Sequence, residues 1–239
     1  MPGSLAAALL RWHQPERGNI PPATIIPIAE TSGLIGPLTE WVLRAACRDA
    51  MSWKPLKVAV NLSPTLFLEN NLCTMVKNIL KETGLPAAQL ELEITEEILM
   101  TETDRILTIL GELKEIGVSI ATDDFGTGYS SLSYLRKFPF DKIKIDRSFV
   151  HEVDNNPASK EIVRAMINMG HALKMRVNAE GVETIEQANM LRDEGCEELQ
   201  GYLYGYPMKK EDMDLLLRTT RSIVSPEDEA ETGRRTTAG

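Results

Sequence analysis

Two aspartates stand side by side at the end of an apolar run in ATDDFGTGYSSL, residues 121–132, and glycines follow at positions 126 and 128. Carboxylates brought together repel one another unless cations join them. Other apolar runs also end in a group able to bind metal or phosphate: Asn61, Glu93, Lys144, Glu180 and Gln200. An oxygen-only donor set favours Mg²⁺ or Mn²⁺ over zinc. Adjacent aspartates can serve two ions, one carboxylate bridging, which is the arrangement used for in-line displacement at phosphorus.

Such chemistry needs elements that bring these ends to one place. Seven short apolar runs read as strands: Ala8 to Arg11, Leu56 to Asn61, Leu90 to Thr95, Val118 to Asp123, Lys142 to Asp146, Met175 to Glu180 and Glu197 to Gln200. Between them, Leu38 to Met51, Leu72 to Thr83, Thr103 to Ile116, Lys160 to Leu173 and Ile185 to Asp193 carry apolar residues at the three- and four-residue spacing of amphipathic helices. Strand followed by helix, repeated, predicts parallel strands with helical crossovers. Closed into a barrel, parallel strands present all their C-terminal ends on one face, where barrels of this class place their chemistry. Glycines at 84, 117, 170 and 195 fall near predicted helix ends, where a left-handed cap is often needed.

Composition narrows the partners. With 26 basic against 35 acidic residues in 239, the net charge of -9 repels a polyanion, which argues against broad nucleic-acid binding. A small phosphate ligand remains compatible if metal ions bridge it to carboxylates. Cys47, Cys73 and Cys196 are odd in number and widely spaced, which predicts reduced packing thiols and a cytoplasmic chain. No apolar run approaches the ~20 residues of a spanning helix. Residues 1–223 read as one domain and 224–239 as a polar, disordered tail. The DFG triplet lacks the phosphate loop and HRD loop of a kinase. His13, His151 and His171 share no ligand spacing.

The segments ALLRW, NLSPTLF, LELEITE, ATDDFGTGYSSLSYL, KIKIDRSFV, NAEGVET and QGYLYGYPM occur in this order from Ala8 to Met208. Together they resemble the EAL family of cyclic di-GMP phosphodiesterases. The resemblance implies an α/β fold, a TIM-like (β/α)8 barrel whose first strand is antiparallel, and metal-dependent hydrolysis of cyclic di-GMP to linear pGpG. It assigns metal binding, of two ions, to Asn61, Glu93, Asp123 and Asp124. Lys144 would hold the attacking water and offset phosphoryl charge, and Glu180 would help activate that water. Gln200 and Glu183 would support the site, Arg11 would contact the dinucleotide, and Asp146 would lie close to the metals. Glu96 would anchor the loop after Asp124, and that loop with the helix starting near Ser130 would contribute to a homodimer.

Two departures from the family pattern bear on activity. Where the name-giving Glu-Ala-Leu should stand, the chain reads Ala7-Ala8-Leu9, so a glutamate metal ligand is replaced by a residue with no oxygen to offer. The family's first strand, with a Tyr-Gln-Pro motif, has no counterpart in the residues before Ala7, and the strand count stops one short of eight. Loss of a direct ligand should cost at least the ~10–100-fold that changes around a metal site cost. Three readings follow: an impaired phosphodiesterase, a receptor that binds cyclic di-GMP without cutting it, and a barrel kept for protein contacts alone. Hydrolysis of another phosphodiester is a further alternative.

Overall fold

The computed structural model describes residues 5–53, 55–69, 71–100, 103–128, 135–154 and 156–223. The helix expected from near Ser130 and the tail expected over 224–239 lie outside them. In chain order the strands are β1 (Leu5–Ala7), β2 (Trp12–Gln14), β3 (Gly18–Ile20), β4 (Lys57–Leu62), β5 (Leu90–Thr95), β6 (Ser119–Phe125), β7 (Lys142–Ile145), β8 (Arg176–Ala179) and β9 (Glu198–Leu199). The helices are α1 (Pro22–Thr31), α2 (Ile35–Ala50), α3 (Leu72–Thr83), α4 (Thr103–Ile116), α5 (Arg147–His151), α6 (Pro157–Ala172), α7 (Ile185–Asp193) and α8 (Lys210–Ile223).

Seven strands form one parallel sheet in the order β1-β4-β5-β6-β7-β8-β9, and β2 pairs with β3 in a separate antiparallel hairpin. Sequential order with helical crossovers is the topology of a TIM-like barrel. Among the described residues no strand joins β1 to β9, so the barrel is one strand short. The expected first strand is corrected: the pairing runs over Leu5–Ala7, in register with Lys57–Ala59, and Ala8 to Arg11 lies beyond it. A run of alanines has no side-chain periodicity from which to set its bounds.

The outward faces of the strands build the core. On β4, Val58, Val60 and Leu62 are buried against helices; on β5, Leu90, Leu92 and Ile94; on β7 and β8, Ile143, Ile145 and Val177. Helix α2 answers with Ile35, Thr39, Leu43, Ala46, Cys47 and Ala50, a stripe at helical spacing. Each fully buried side chain of this kind contributes roughly 1.5–3 kcal/mol. Helix α6 starts where Asn156 accepts from the amides of Ala158 and Ser159, with Pro157 in the first turn, and α7 starts in a Thr184–Gln187 capping box. Helix α3 ends at Gly84, whose φ of 75° closes it in a left-handed cap. Helix α8 is moored to the end of α2, where Trp53 Nε1 donates to Asp214 at 2.7 Å and Lys210 pairs with the same carboxylate.

The inward face is polar. Alternation places Lys57 and Asn61 on β4, Glu91 and Glu93 on β5, Asp123 on β6, Lys142 and Lys144 on β7, Arg176 and Asn178 on β8, and Glu198 on β9 opposite to the apolar side chains. Charges enclosed in this way must find partners.

Candidate active site

Lys144 is the centre of the upper end of the barrel. Its side chain is 3% exposed, and its Nζ lies 2.6 Å from Glu180, 2.9 Å from Asp123 and 2.9 Å from Glu93. The contact to Glu93 Oε1 is ionic: the distance is short, but the direction is wrong for a hydrogen bond, and that oxygen is buried without a hydrogen-bond partner. Burial alone would pull the Lys144 ammonium down, but the charge of Glu93, Glu180 and Asp123 outweighs it and holds its pKa above the ordinary lysine value. The lysine is therefore charged at neutral pH.

The carboxylates feel the reverse. Burial, with Asp123 and Glu180 adding repulsion, raises Glu93 to about 7 despite Lys144. Burial, then Asp123, also raises Glu180, and burial, then Asp123 and Asp146, raises Asp124. Ligand oxygens of Asp123, Asp124 and Glu180 lie within 4.8 Å of one another. One ammonium thus faces four carboxylates, a surplus of negative charge that divalent cations would relieve. The orphaned oxygens of Glu93 and Asn178 and the oxygen-only donor set fit Mg²⁺ or Mn²⁺.

Local backbone aims these groups. Asp124 has φ of 53°, a left-handed conformation uncommon outside glycine, and its amide donates to Asp123 Oδ1. The next turn is held by Glu96, 5% exposed, which accepts from the Gly126 amide at 3.0 Å. The loops after β8 and β9 are joined: Val182 N donates to Gln200 O and Leu203 N to Val182 O, both at 3.0 Å. A Cβ on Gly201 would lie 2.2 Å from the Val182 carbonyl oxygen, so only glycine fits.

Of the other predicted positions, Asn61 stands in register with Glu93 and Asp146 lies near enough to Asp124 to raise it. Asn61 is exposed at the end of β4. Ala7 is half-buried opposite Ala59, on the face away from Ala6 and Ala8, which pack on the core. Asp146 caps α5, accepting from Ser148 N at 3.0 Å and Ser148 Oγ at 2.5 Å. Arg11 is exposed and donates to the Leu10 carbonyl, Glu183 is exposed, and Gln200 is half-buried. None of these three has a described contact with the Lys144 carboxylates.

Below this site lies a second charged group that the sequence reading missed. Lys142, 1% exposed, pairs with Glu91 at 2.7 Å and Glu198 at 2.5 Å. Arg176 pairs with Glu198 at 2.7 Å and stands 3.9 Å from Glu91, and Lys57 donates to Ser119 at 2.8 Å. The signal was present in LELEIT and KIKI, where like charges alternate within strands expected to be buried on both faces.

Comparison with known proteins places this geometry. Residues 4–207 match the profile of the EAL domain. The chain is 54% identical over 201 residues to an uncharacterized signaling protein of Caulobacter vibrioides, covering 84% of the chain and 25% of that protein. It is 42% identical over 224 residues to the cyclic di-GMP phosphodiesterase NbdA of Pseudomonas aeruginosa, covering 92% of the chain and 29% of that protein. The chain thus spans about a quarter to a third of these relatives. A solved structure described as "PaMucR Phosphodiesterase, c-di-GMP complex" superposes with a TM-score of 0.85 at 42% identity, covering 89% of this chain and 88% of that one.

Proposed function

The chain belongs to the EAL domain family, and from that premise we propose that it hydrolyses cyclic di-GMP to linear pGpG, at a rate reduced by the alanine at position 7. The observation that carries this reading is the upper charge group, in which one captive ammonium serves an excess of carboxylates. Asn61, Glu93, Asp123 and Asp124 would hold two ions, Mg²⁺ or Mn²⁺. Bound there, such ions would offset phosphodiester charge and make a nearby water acidic enough to attack near neutral pH.

The chain's own residues do the rest. Glu180, whose burial raises its proton affinity, accepts the proton of the attacking water. Lys144, already charged, cannot act as that base; it orients the water and offsets charge developing on the phosphoryl oxygens. The water oxygen bonds to phosphorus, the bond to the ribose 3′-oxygen breaks, and that oxygen takes up a proton from solvent while Glu180 returns the water's proton to solvent. Arg11 contacts the dinucleotide, its exposed guanidinium turning by side-chain rotation. Glu96 holds the loop after Asp124 through Gly126, Asp146 keeps α5 in place beside the site, and Gln200 and Glu183 support the rim from the joined loops. Two copies pair through the segment after Asp124. Three free cysteines suit a reducing compartment such as the cytoplasm.

Ala7 favours a second reading, a receptor for cyclic di-GMP, because it brings no oxygen to the inner face. The chain and an Ala7→Glu variant, each given cyclic di-GMP and Mn²⁺, decide between them by chromatography of pGpG and calorimetric binding. Product from both, faster from the variant by ~10-fold or more, is expected. Product from the variant alone, with binding by both, makes the chain a receptor. Neither product nor binding from either protein would sink both readings.

A further inference from the structure

The upper and lower charge groups are built on the same strands. Glu91 precedes Glu93 by two residues on β5, and Lys142 precedes Lys144 by two on β7, a separation of about 6.7 Å along each strand. These strands are not neighbours: β6 lies between them. Ala121 of β6, fully buried, is in register with Glu93 on one side and Lys142 on the other. Its methyl group leaves room for ammonium groups to reach across. Strand β6 is therefore bridged twice on its inner face, by Lys144 to Glu93 and by Lys142 to Glu91.

The two spans respond differently to a ligand. A cation at the rim competes with Lys144 for Glu93, Asp123 and Glu180, and a phosphate competes with those carboxylates for Lys144, so either loosens the upper span. The lower span is out of that competition, because Glu91 is wholly buried and Lys142 is also held by Glu198, itself paired with Arg176. Resting on the phosphodiesterase reading, we infer that Lys142 and Glu91 are positioning residues, a lower tie across β6 that keeps Glu93 and Lys144 at their working separation while the upper contacts exchange.

The test uses the whole chain, with Mn²⁺ alone in calorimetry and cyclic di-GMP in turnover. A Glu91→Leu, Lys142→Leu double variant replaces the tie with apolar groups, a change that buried ion pairs often tolerate without loss of stability. It is expected to melt no lower than the parent, to bind Mn²⁺ roughly 10–100-fold more weakly, and to lose turnover to a similar degree. KM should move little, and Lys142→Arg should keep most of both activities. A folded double variant with parental Mn²⁺ affinity and turnover overturns the inference. If the double variant does not fold, Glu198→Gln decides, since it removes one carboxylate from Lys142: weaker Mn²⁺ binding is expected, and unchanged binding overturns. A parent that binds Mn²⁺ without turnover leaves the affinity readout decisive. A parent that does neither removes the phosphodiesterase reading and this inference with it, and is told apart from the other failures by the parent measurement alone.

Discussion

At the lower end of the barrel Lys142 and Arg176 meet Glu91 and Glu198, with Lys57 held on Ser119; at the upper end Lys144 meets Glu93, Asp123 and Glu180, with Asp124 beside them. Strands β5 and β7 supply both groups, and each has a buried lysine at its centre, yet one is nearly balanced and the other carries a surplus of negative charge. A balanced buried group has no further need and serves the fold. A group left in surplus stores electrostatic repulsion that a retained proton or an added cation relieves, so the imbalance, rather than the presence of charge, marks the end suited to binding a metal.

Replacing Lys144 by Met attacks that surplus most directly. Turnover of cyclic di-GMP should fall by roughly 10²–10³-fold, the usual cost of removing one charge-stabilising donor, and the metal-free chain should also melt lower, because Glu93, Asp123 and Glu180 would face one another uncompensated. An unchanged melting temperature would mean that the upper group relaxes as easily as a surface cluster. That result would break the contrast.

The titration of Glu93 sharpens it. In the metal-free fold this carboxyl keeps its proton to about 7, against 4.5 for the ordinary side chain. Between those values the folded state binds more protons than the unfolded one, so stability falls as pH rises through this window and is level above it. Saturating Mn²⁺ should remove this falling slope, since metal binding displaces the proton, and Glu93→Gln should lessen it, leaving the share that the raised Glu180 and Asp124 contribute. Denaturant unfolding across pH, with and without Mn²⁺, checks both.

The smallest effect is expected outside the barrel. Arg164 pairs with Glu194 at 2.6 Å and Glu161 at 2.8 Å on the surface. Arg164→Ala should lower melting only slightly and leave turnover at the parental value, because Arg164 and Glu161 are open to water and only Glu194 is half-buried. A large loss there would show that ion pairs matter in this fold wherever they occur.

Much of this was legible in the residues. Strand β5 and helices α3, α4 and α7 lie at the bounds their apolar spacing predicts, and Gly84 caps α3 as its position suggests. Helix α1 was hidden because Pro22 and Pro27 read as breakers, although the first occupies the helix start, where its missing N–H costs nothing. The hairpin of β2 and β3 was hidden because WHQ and GNI have no apolar alternation. At the site, Asp123, Glu93, Lys144 and Glu180 stood out as polar groups ending apolar runs. The lower group did not, because a charged residue within an alternating strand looks like one facing solvent, and only closure of the sheet turns that face inward.

Asp124 carries one more consequence. A left-handed backbone costs an L-residue on the order of 1 kcal/mol, and glycine is free of that penalty. Glycine at 124 would thus steady the fold and strip the rim of a carboxylate in a single substitution. Descendants of this chain selected for folding alone are pushed toward that change and those selected for the rim are held from it, so position 124 is where the two histories would diverge first.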